Sequence, residues 1–376
     1  MLTKMELPIY LDAAATTPVH PEVLEAMLPY FTQHFGNANS QHIYGQIAKK
    51  AIDDARQSIA DHINVLPEEI IFTSGATEAI NLAIKGYWEA NRDKGNHIIT
   101  VKTEHKAVLN TCAYLETLGV DVTYLDVDHY GRITDDQLRA GIRQDTILAC
   151  VMHVNNETGL IQDIHSFAET CAEQGVAFFT DSTQAIGHIE TDYGNPAISM
   201  ACMSAHKIAG PKGVGVFIKK REIAASPILI GGSAGLEAGT QSTSQIVGLK
   251  QALTLRHTFL ERNRKSNEKC LIQKQTFLTS LNQLFCMDAK RTIPVDICAP
   301  HILHFHNVEK LNLLETYFSL SNGSACQNQL MGESHVAQLL NLDKGTYCRL
   351  SMEPSHKLTT QLSNHIREAM KQKLLP

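Results

Sequence analysis

Ser204-Ala205-His206-Lys207-Ile208-Ala209-Gly210-Pro211-Lys212-Gly213-Val214-Gly215 is the stretch whose reading decides the fold. It follows an apolar run containing Met200, Cys202 and Met203, which reads as a buried strand, and passes through a Gly/Pro-rich turn into a second strand, Val214 to Lys219. Lys207 is thereby fixed at the mouth of a sheet and not on a solvated helix face. A lysine held there suits Schiff-base chemistry, because the neutral amine is the nucleophile and partial burial lowers its pKa. Taken alone, the same residue also reads as a surface lysine before a loop.

Upstream, short apolar runs alternate with helical patterns. Strands are expected at Ile70–Thr73, His97–Val101, Val122–Leu125, Thr146–His153 and Val176–Thr180. Between them lie helices at about Pro21–Phe31, Ile47–Ile63, Ala79–Tyr87, Lys106–Leu118 and Ile164–Gln174, and Thr134 with Gln137 spells a capping box. Near-continuous apolar strands alternating with helices predict a largely parallel sheet covered on both faces, with ligands at the strands' carboxyl ends. The polar residues fall at those ends: Thr77, His105, Asn155-Asn156, Asp181, Gln184, then His206-Lys207.

Ser74-Gly75-Ala76-Thr77, between a strand and a helix, is a natural phosphate seat, and Ser204 and His206 could add side-chain donors to it. Asp181 ends a buried strand, where a carboxylate needs a cation. A long helical pattern from Gln245 to about Leu284 then leads into a strand at Ile302–Phe305, a helix at Leu311–Tyr317, a loop from Ser321 to Ser334, a strand at Tyr347–Ser351 and a last helix from about Thr359.

The chain has 376 residues, 43% hydrophobic and 19% charged, with a net charge of −6. That length exceeds one ordinary core, and the charge leaves no electrostatic footprint for nucleic acid. No apolar run approaches about 18 residues and Met1–Leu11 lacks a signal pattern, so a cytoplasmic protein without membrane association is expected. The nine cysteines are scattered, with no C-x-x-C pair, and read as reduced thiols. His304 and His306 would share one face of a strand, but no third ligand is spaced to join them, and they read as structural; no metal site is expected.

Tyr10-Leu11-Asp12-Ala13-Ala14-Ala15-Thr16-Thr17, Phe35-Gly36-Asn37, Thr73-Ser74-Gly75-Ala76-Thr77-Glu78, Thr103-Glu104-His105-Lys106, His153-Val154-Asn155-Asn156-Glu157-Thr158-Gly159, Asp181-Ser182-Thr183-Gln184 and His206-Lys207 resemble the successive signatures of cysteine desulfurases, a branch of the class V pyridoxal-phosphate (PLP) enzymes. The resemblance implies an α/β fold of fold-type I, with a mainly parallel large domain over 13–258 and a smaller α+β domain from 1–12 and 259–376. It implies that Lys207 carries PLP through an imine, that His105 stacks on the ring, and that Asp181 pairs with the ring nitrogen. Gln184 and Asn156 would contact the ring oxygen or the substrate, while Ala76, Thr77, Ser204 and His206 seat the phosphate. Thr240 is similar to the threonine that reaches the phosphate of a partner subunit, which implies a homodimer. Gly323-Ser324-Ala325-Cys326 resembles the persulfide-carrying loop of the long-loop branch, and Arg349 the clamp for the carboxylate of the substrate, L-cysteine.

The chain departs from the family pattern at Gly231–Thr240, which contains no arginine and places Glu237 where an arginine is usual, and at Met352-Glu353-Pro354, where a Gly-Arg pair is common. It also ends at Pro376 without the tail that docks an iron–sulfur scaffold in some relatives. The sulfur acceptor, a protein serving iron–sulfur assembly, tRNA thiolation or DNA thiolation, is not spelled in these residues. The Ala-Ala-Ala turn, Gly36-Asn37-Ala38-Asn39 and Pro300-His301-Ile302-Leu303 resemble the DNA-phosphorothioation branch. Two other readings stand beside this one: a class V aminotransferase or lyase acting on another amino acid, and a non-catalytic sulfur-trafficking protein, which would lack the yellow colour of bound cofactor.

Overall fold

The structure is a computed structural model and describes residues 8–231, 235–262, 290–306, 308, 318–321, 334–342 and 347–352. Its strands are β1 (Ile9–Tyr10), β2 (Ile70–Thr73), β3 (His97–Val101), β4 (Asp121–Leu125), β5 (Thr146–Cys150), β6 (Ala177–Asp181), β7 (Met200–Ser204), β8 (Gly215–Lys219), β9 (Lys290–Arg291), β10 (Ile302–His306), β11 (Phe318–Ser319) and β12 (Tyr347–Ser351). Seven of them form one sheet in the order β2-β8-β7-β6-β5-β3-β4. Only β8 runs against its neighbours, β2 and β7; the remaining pairs are parallel. Two antiparallel steps across β8 return β2 to the direction of β7. The carboxyl ends of β2, β7, β6, β5 and β3 therefore line one edge of the sheet.

Successive side chains on a strand point to opposite faces, and the apolar runs feed two separate layers. On one face Phe72, Ile99, Ala149, Phe178 and Ala201 pack with Ile52 and Ile59 of helix α3, Phe167 of α8 and Leu249 of α9. On the other, Ile71, Ile98, Leu148, Phe179 and Met200 pack with Ile80 of α4, Trp88 of α5 and Leu115 of α6. Here α1 is Pro21–Met27, α2 Pro29–Thr32, α3 Ile43–Ile63, α4 Ala76–Asn81, α5 Tyr87–Ala90, α6 Lys106–Glu116, α7 Asp135–Gly141, α8 Ile164–Glu173 and α9 Thr243–Arg262. Each fully buried phenylalanine contributes roughly 1.5–3 kcal/mol. Phe178 and Phe179 thus fasten helices to both faces of the strand that ends at Asp181.

The expected elements are present with shifted ends. The helix read over Pro21–Phe31 is two helices, because Pro29 opens α2 and has no N–H to continue α1. α3 begins at Ile43, four residues before the reading, with His42 Nδ1 accepting the Gly45 N–H. β5 stops at Cys150; beyond it Val154 bridges Ile161. The capping box forms as its spacing predicts: Thr134 Oγ1 accepts the Gln137 N–H and Gln137 Oε1 accepts the Thr134 N–H. Helices expected at Leu311–Tyr317 and from Thr359, and the Gln245–Leu284 pattern beyond Arg262, lie outside the described residues.

The chain divides into two compact units. Thr17–Asn155 with Leu160–Glu261 carries the seven-stranded sheet. The described parts of Met1–Thr16, Asn156–Gly159 and Arg262–Pro376 make the other. In that second unit β10 pairs antiparallel with both β12 and β9, and β1 pairs parallel with β11. His304 and His306 share one face of β10 there, and both approach the Thr292 hydroxyl through Nδ1, at 2.8 and 3.2 Å.

Candidate active site

Lys207 ends a single 3₁₀ turn, Ala205–Lys207, that leaves β7 at the sheet edge. Its backbone is fastened on both sides. The Thr17 N–H and Oγ1 both donate to the His206 carbonyl at 2.9 Å, and Thr17 Oγ1 accepts the Ala209 N–H at 2.8 Å. Ala209 is held at φ 62, a left-handed conformation that alanine adopts only when its surroundings impose it. The Lys207 carbonyl lies 3.0 Å from His188 Nε2, so His188 is the donor. Burial, with Arg256 and Lys207 nearby, holds His188 well below the ordinary imidazole range and keeps it a neutral, one-proton donor. The reading missed His188: a contact between residues 188 and 207 leaves no periodic trace in the sequence. Thr17 was visible only as the end of a family motif.

The sequence placed His206 on a strand end; it lies instead in the turn. Burial first, then Lys207 and Lys212, depress its imidazole to about 4. Burial likewise lowers His153 and His304 to about 3. Such groups bind protons more weakly folded than unfolded. On acidification the unfolded chain is protonated first, and stability is lost as the pH falls from about 6.5 towards 3. The loss approaches roughly 1.4 kcal/mol per pH unit for each of the two deeply buried histidines. Melting midpoints measured from pH 8 to 4 should therefore be level down to about pH 6.5 and fall below it; a level profile to pH 4 would contradict this.

At the end of β2, Gly75 turns the chain at φ 154 into α4, and no side chain caps that helix. The Ser74 N–H is occupied by Glu78 Oε2 at 2.7 Å. The first-turn amides at Ala76 and Thr77 open the helix three residues earlier than the sequence suggested, facing out with the positive end of the helix dipole. Thr73 and Ser204 both register against Gly215, the first residue of β8. A Cβ on Gly215 would meet the Met203 oxygen at 2.5 Å and Gly75 Cα at 2.7 Å, so only glycine lets the two strand ends close up. Ser204 Oγ then lies 3.7 Å from where a Gly75 side chain would begin. The result is a cradle of backbone amides beside a hydroxyl.

Asp181 is 6% exposed at the end of β6. Its Oδ1 accepts the Thr183 N–H at 3.0 Å and the Cys202 thiol at 3.4 Å, and no described residue forms an ion pair with it. A buried carboxylate in that state calls for a cation. Gln184, three residues on, is buried. His105 caps α6, with Nδ1 accepting the Ala107 N–H at 3.1 Å, which leaves the proton of the neutral ring on Nε2. The loop carrying it is pinned to the chain after β5: Glu104 Oε1 accepts the Met152 N–H at 2.6 Å, and Asn155 Nδ2 donates to the Thr103 carbonyl at 3.0 Å. Burial pushes the Glu104 carboxyl well up.

This donor set fits PLP. The cradle at Ala76, Thr77 and Ser204 suits a phosphate, the Asp181 carboxylate a protonated ring nitrogen, and the Lys207 amine an aldehyde.

Asn156 and Arg349 belong to the other unit and bond each other. Arg349, 2% exposed, donates from Nη1 to the Asn156 carbonyl at 2.8 Å and from Nη2 to Asp12 Oδ1 at 2.6 Å. Its Nε is buried without a partner among the described residues, a donor left for a further acceptor. Ser321 exchanges both backbone hydrogen bonds with Arg349. Cys326 itself lies outside the described residues. Thr240 is exposed on the segment that follows Gly235.

The chain matches the family model of class-V aminotransferases over residues 9–358. It is 41% identical over 348 residues to the cysteine desulfurase IscS of Methylococcus capsulatus, covering 89% of this chain and 84% of that one. It is 43% identical over 340 residues to the putative cysteine desulfurase IscS 1 of Bacillus subtilis, covering 87% and 88%. Among solved structures, a NifS-like protein superposes with a TM-score of 0.86 at 29% identity, covering 97% of this chain and all of its own. SspA in complex with cysteine gives 0.81 at 33% identity, over 92% of this chain and 99% of the other. With a sheet, a lysine turn and an anion cradle of this kind, and with these relatives, the chain belongs to the class-V aminotransferase family of PLP-dependent enzymes, among its cysteine desulfurases.

Proposed function

We propose that the protein converts L-cysteine to L-alanine and leaves the sulfur as a persulfide on Cys326, for delivery to an acceptor protein. The observation that carries this reading is the lysine on a clamped turn at the same sheet edge as a buried carboxylate that has no cationic partner among the described residues and an uncapped helix N-terminus. PLP, when bound, supplies the electron sink that acidifies the Cα–H of an amino acid. Lys207 Nζ removes that proton and later returns one. Arg349 holds the substrate carboxylate, for which its partnerless Nε is suited. Cys326, as thiolate, takes the substrate sulfur: an S–S bond forms as the C–S bond breaks, the bonding pair stays on the alanyl carbon, and a proton is added there.

The described thiols fit this assignment. Cys112, Cys150, Cys171, Cys202, Cys298 and Cys348 are all buried and in no disulfide, while Cys270 and Cys286 lie outside the described residues. Burial pushes Cys112 and Cys171 up to about 12, and raises Cys150 and Cys202 well above the ordinary thiol range. None of these four is poised as a thiolate. The enzyme would work as a homodimer in the cytoplasm, with Thr240 reaching the phosphate of the second copy. Leu24, Leu28, Phe31, Phe35, Ile43 and Tyr44 are large apolar side chains left exposed, the kind of area such a copy would cover. None of the described helices is long and apolar enough to cross a membrane.

The test is Cys326→Ala incubated with cysteine. Loss of protein-bound persulfide together with slowed alanine release is expected. Undiminished alanine and sulfide release would rule out the relay.

A further inference from the structure

Glu237, the departure from the family pattern named in the sequence, bonds a specific set of partners. β2 is an edge strand, and an edge strand presents unpaired backbone groups. Here two side chains take them. Arg56 Nη1 donates to the Ile70 carbonyl, and Glu237 Oε1 accepts the Phe72 N–H at 2.8 Å. The two side chains also pair with each other, Arg56 Nη2 lying 3.0 and 3.2 Å from the carboxylate oxygens, and Gln241 Nε2 donates to Glu237 Oε2. The pair is about four-fifths shielded from water, with side-chain exposures of 20% and 23%. The guanidinium and carboxylate thus act as a substitute neighbouring strand, one donor and one acceptor in register with the edge.

A cleft of ≈ 320 Å³ opens between β2 and the segment that carries Glu237, lined on the strand side by Ile70 and Ile71 and on the segment side by Gly235 and Gly239. The segment forms one wall of this gap, and the Glu237 side chain reaches across it to Phe72 and Arg56. Three positions further along stands Thr240, exposed, and two positions beyond β2 stands Gly75, which opens the phosphate cradle.

We propose that Glu237 is a positioning residue: by tying Leu236–Gln241 to the edge of β2 through Arg56 and the Phe72 N–H, it holds Thr240 where a second copy of the chain presents its cofactor phosphate. This rests on the dimeric reading above. It also explains how an arginine-free segment can serve there, since the cation is supplied by Arg56 from α3 and the segment supplies the anion.

The test uses the protein as isolated, with its cofactor, and two readouts: hydrogen exchange at Phe72 and the rate of cofactor loss on dilution. Glu237→Ala is expected to speed Phe72 exchange about tenfold or more, the effect of losing a charged acceptor. It should raise the rate of cofactor loss by the same factor as Thr240→Ala, with the double variant no worse than either single one. Glu237→Gln, which keeps an acceptor for the Phe72 N–H, should stay closer to the parent in both and serves if the alanine variant fails to fold. Additive losses in the double variant, or faster exchange with unchanged cofactor retention while Thr240→Ala loosens it, would overturn the proposal. Should Thr240→Ala itself leave cofactor retention unchanged, the dimeric reading beneath it fails.

Discussion

Replacing Lys207 with alanine is expected to lower cysteine turnover by roughly a thousandfold or more, the size of effect that follows loss of a positioned acid–base group. The fold should survive the change. Thr17 bonds the His206 carbonyl and His188 the Lys207 carbonyl, and an alanine keeps both of these backbone acceptors. The melting midpoint should therefore stay near that of the parent while alanine production collapses, and a small exogenous amine should restore part of it. A Lys207→Ala variant with near-normal turnover would remove the assignment.

Asp181→Asn is the second large effect. The amide matches the carboxylate in shape and can still accept the Thr183 N–H and face the Cys202 thiol. What it loses is the negative charge that the protonated ring nitrogen would meet. A hydrogen bond to a charged group is worth roughly 1.5–3 kcal/mol, so turnover is expected to fall by roughly 10- to 100-fold. Stability should move the other way. No described residue forms an ion pair with this carboxylate, and such a buried charge is costly, so the cofactor-free variant is expected to melt no lower than the parent. Thermal melts of the two cofactor-free proteins, set beside their steady-state rates with cofactor, separate the two contributions. A variant that is both less stable and fully active would show Asp181 to be structural.

The sheet was legible because its inner strands and β2 are buried on both faces and so read as apolar runs, from Ile70-Ile71-Phe72 to Ala177-Phe178-Phe179. The ends of those runs pointed to Asp181 and to the Lys207 turn in advance, whereas Asn156, read at the same edge, belongs to the other unit. Local spacing also sufficed for the capping box at Thr134 and Gln137. Strand order was not legible, nor the reversal at β8, because hydrophobic period reports a face and not a neighbour. Long-range polar bonds were equally silent. Glu237 looked like a departure from the family until its bonds to Arg56 and Phe72, 181 and 165 positions away, were seen. His188 looked like one histidine among eighteen. Asn156 and Arg349 likewise meet across 193 positions, a pairing that no local pattern reports.

The central claim is that one amine, at residue 207, carries the cofactor. Borohydride reduction of the yellow protein, followed by protease digestion and mass mapping, measures it directly. The account requires a phosphopyridoxyl mass on the peptide containing Ser204-Ala205-His206-Lys207. An adduct on any other lysine, or none in protein soaked with PLP, would contradict it.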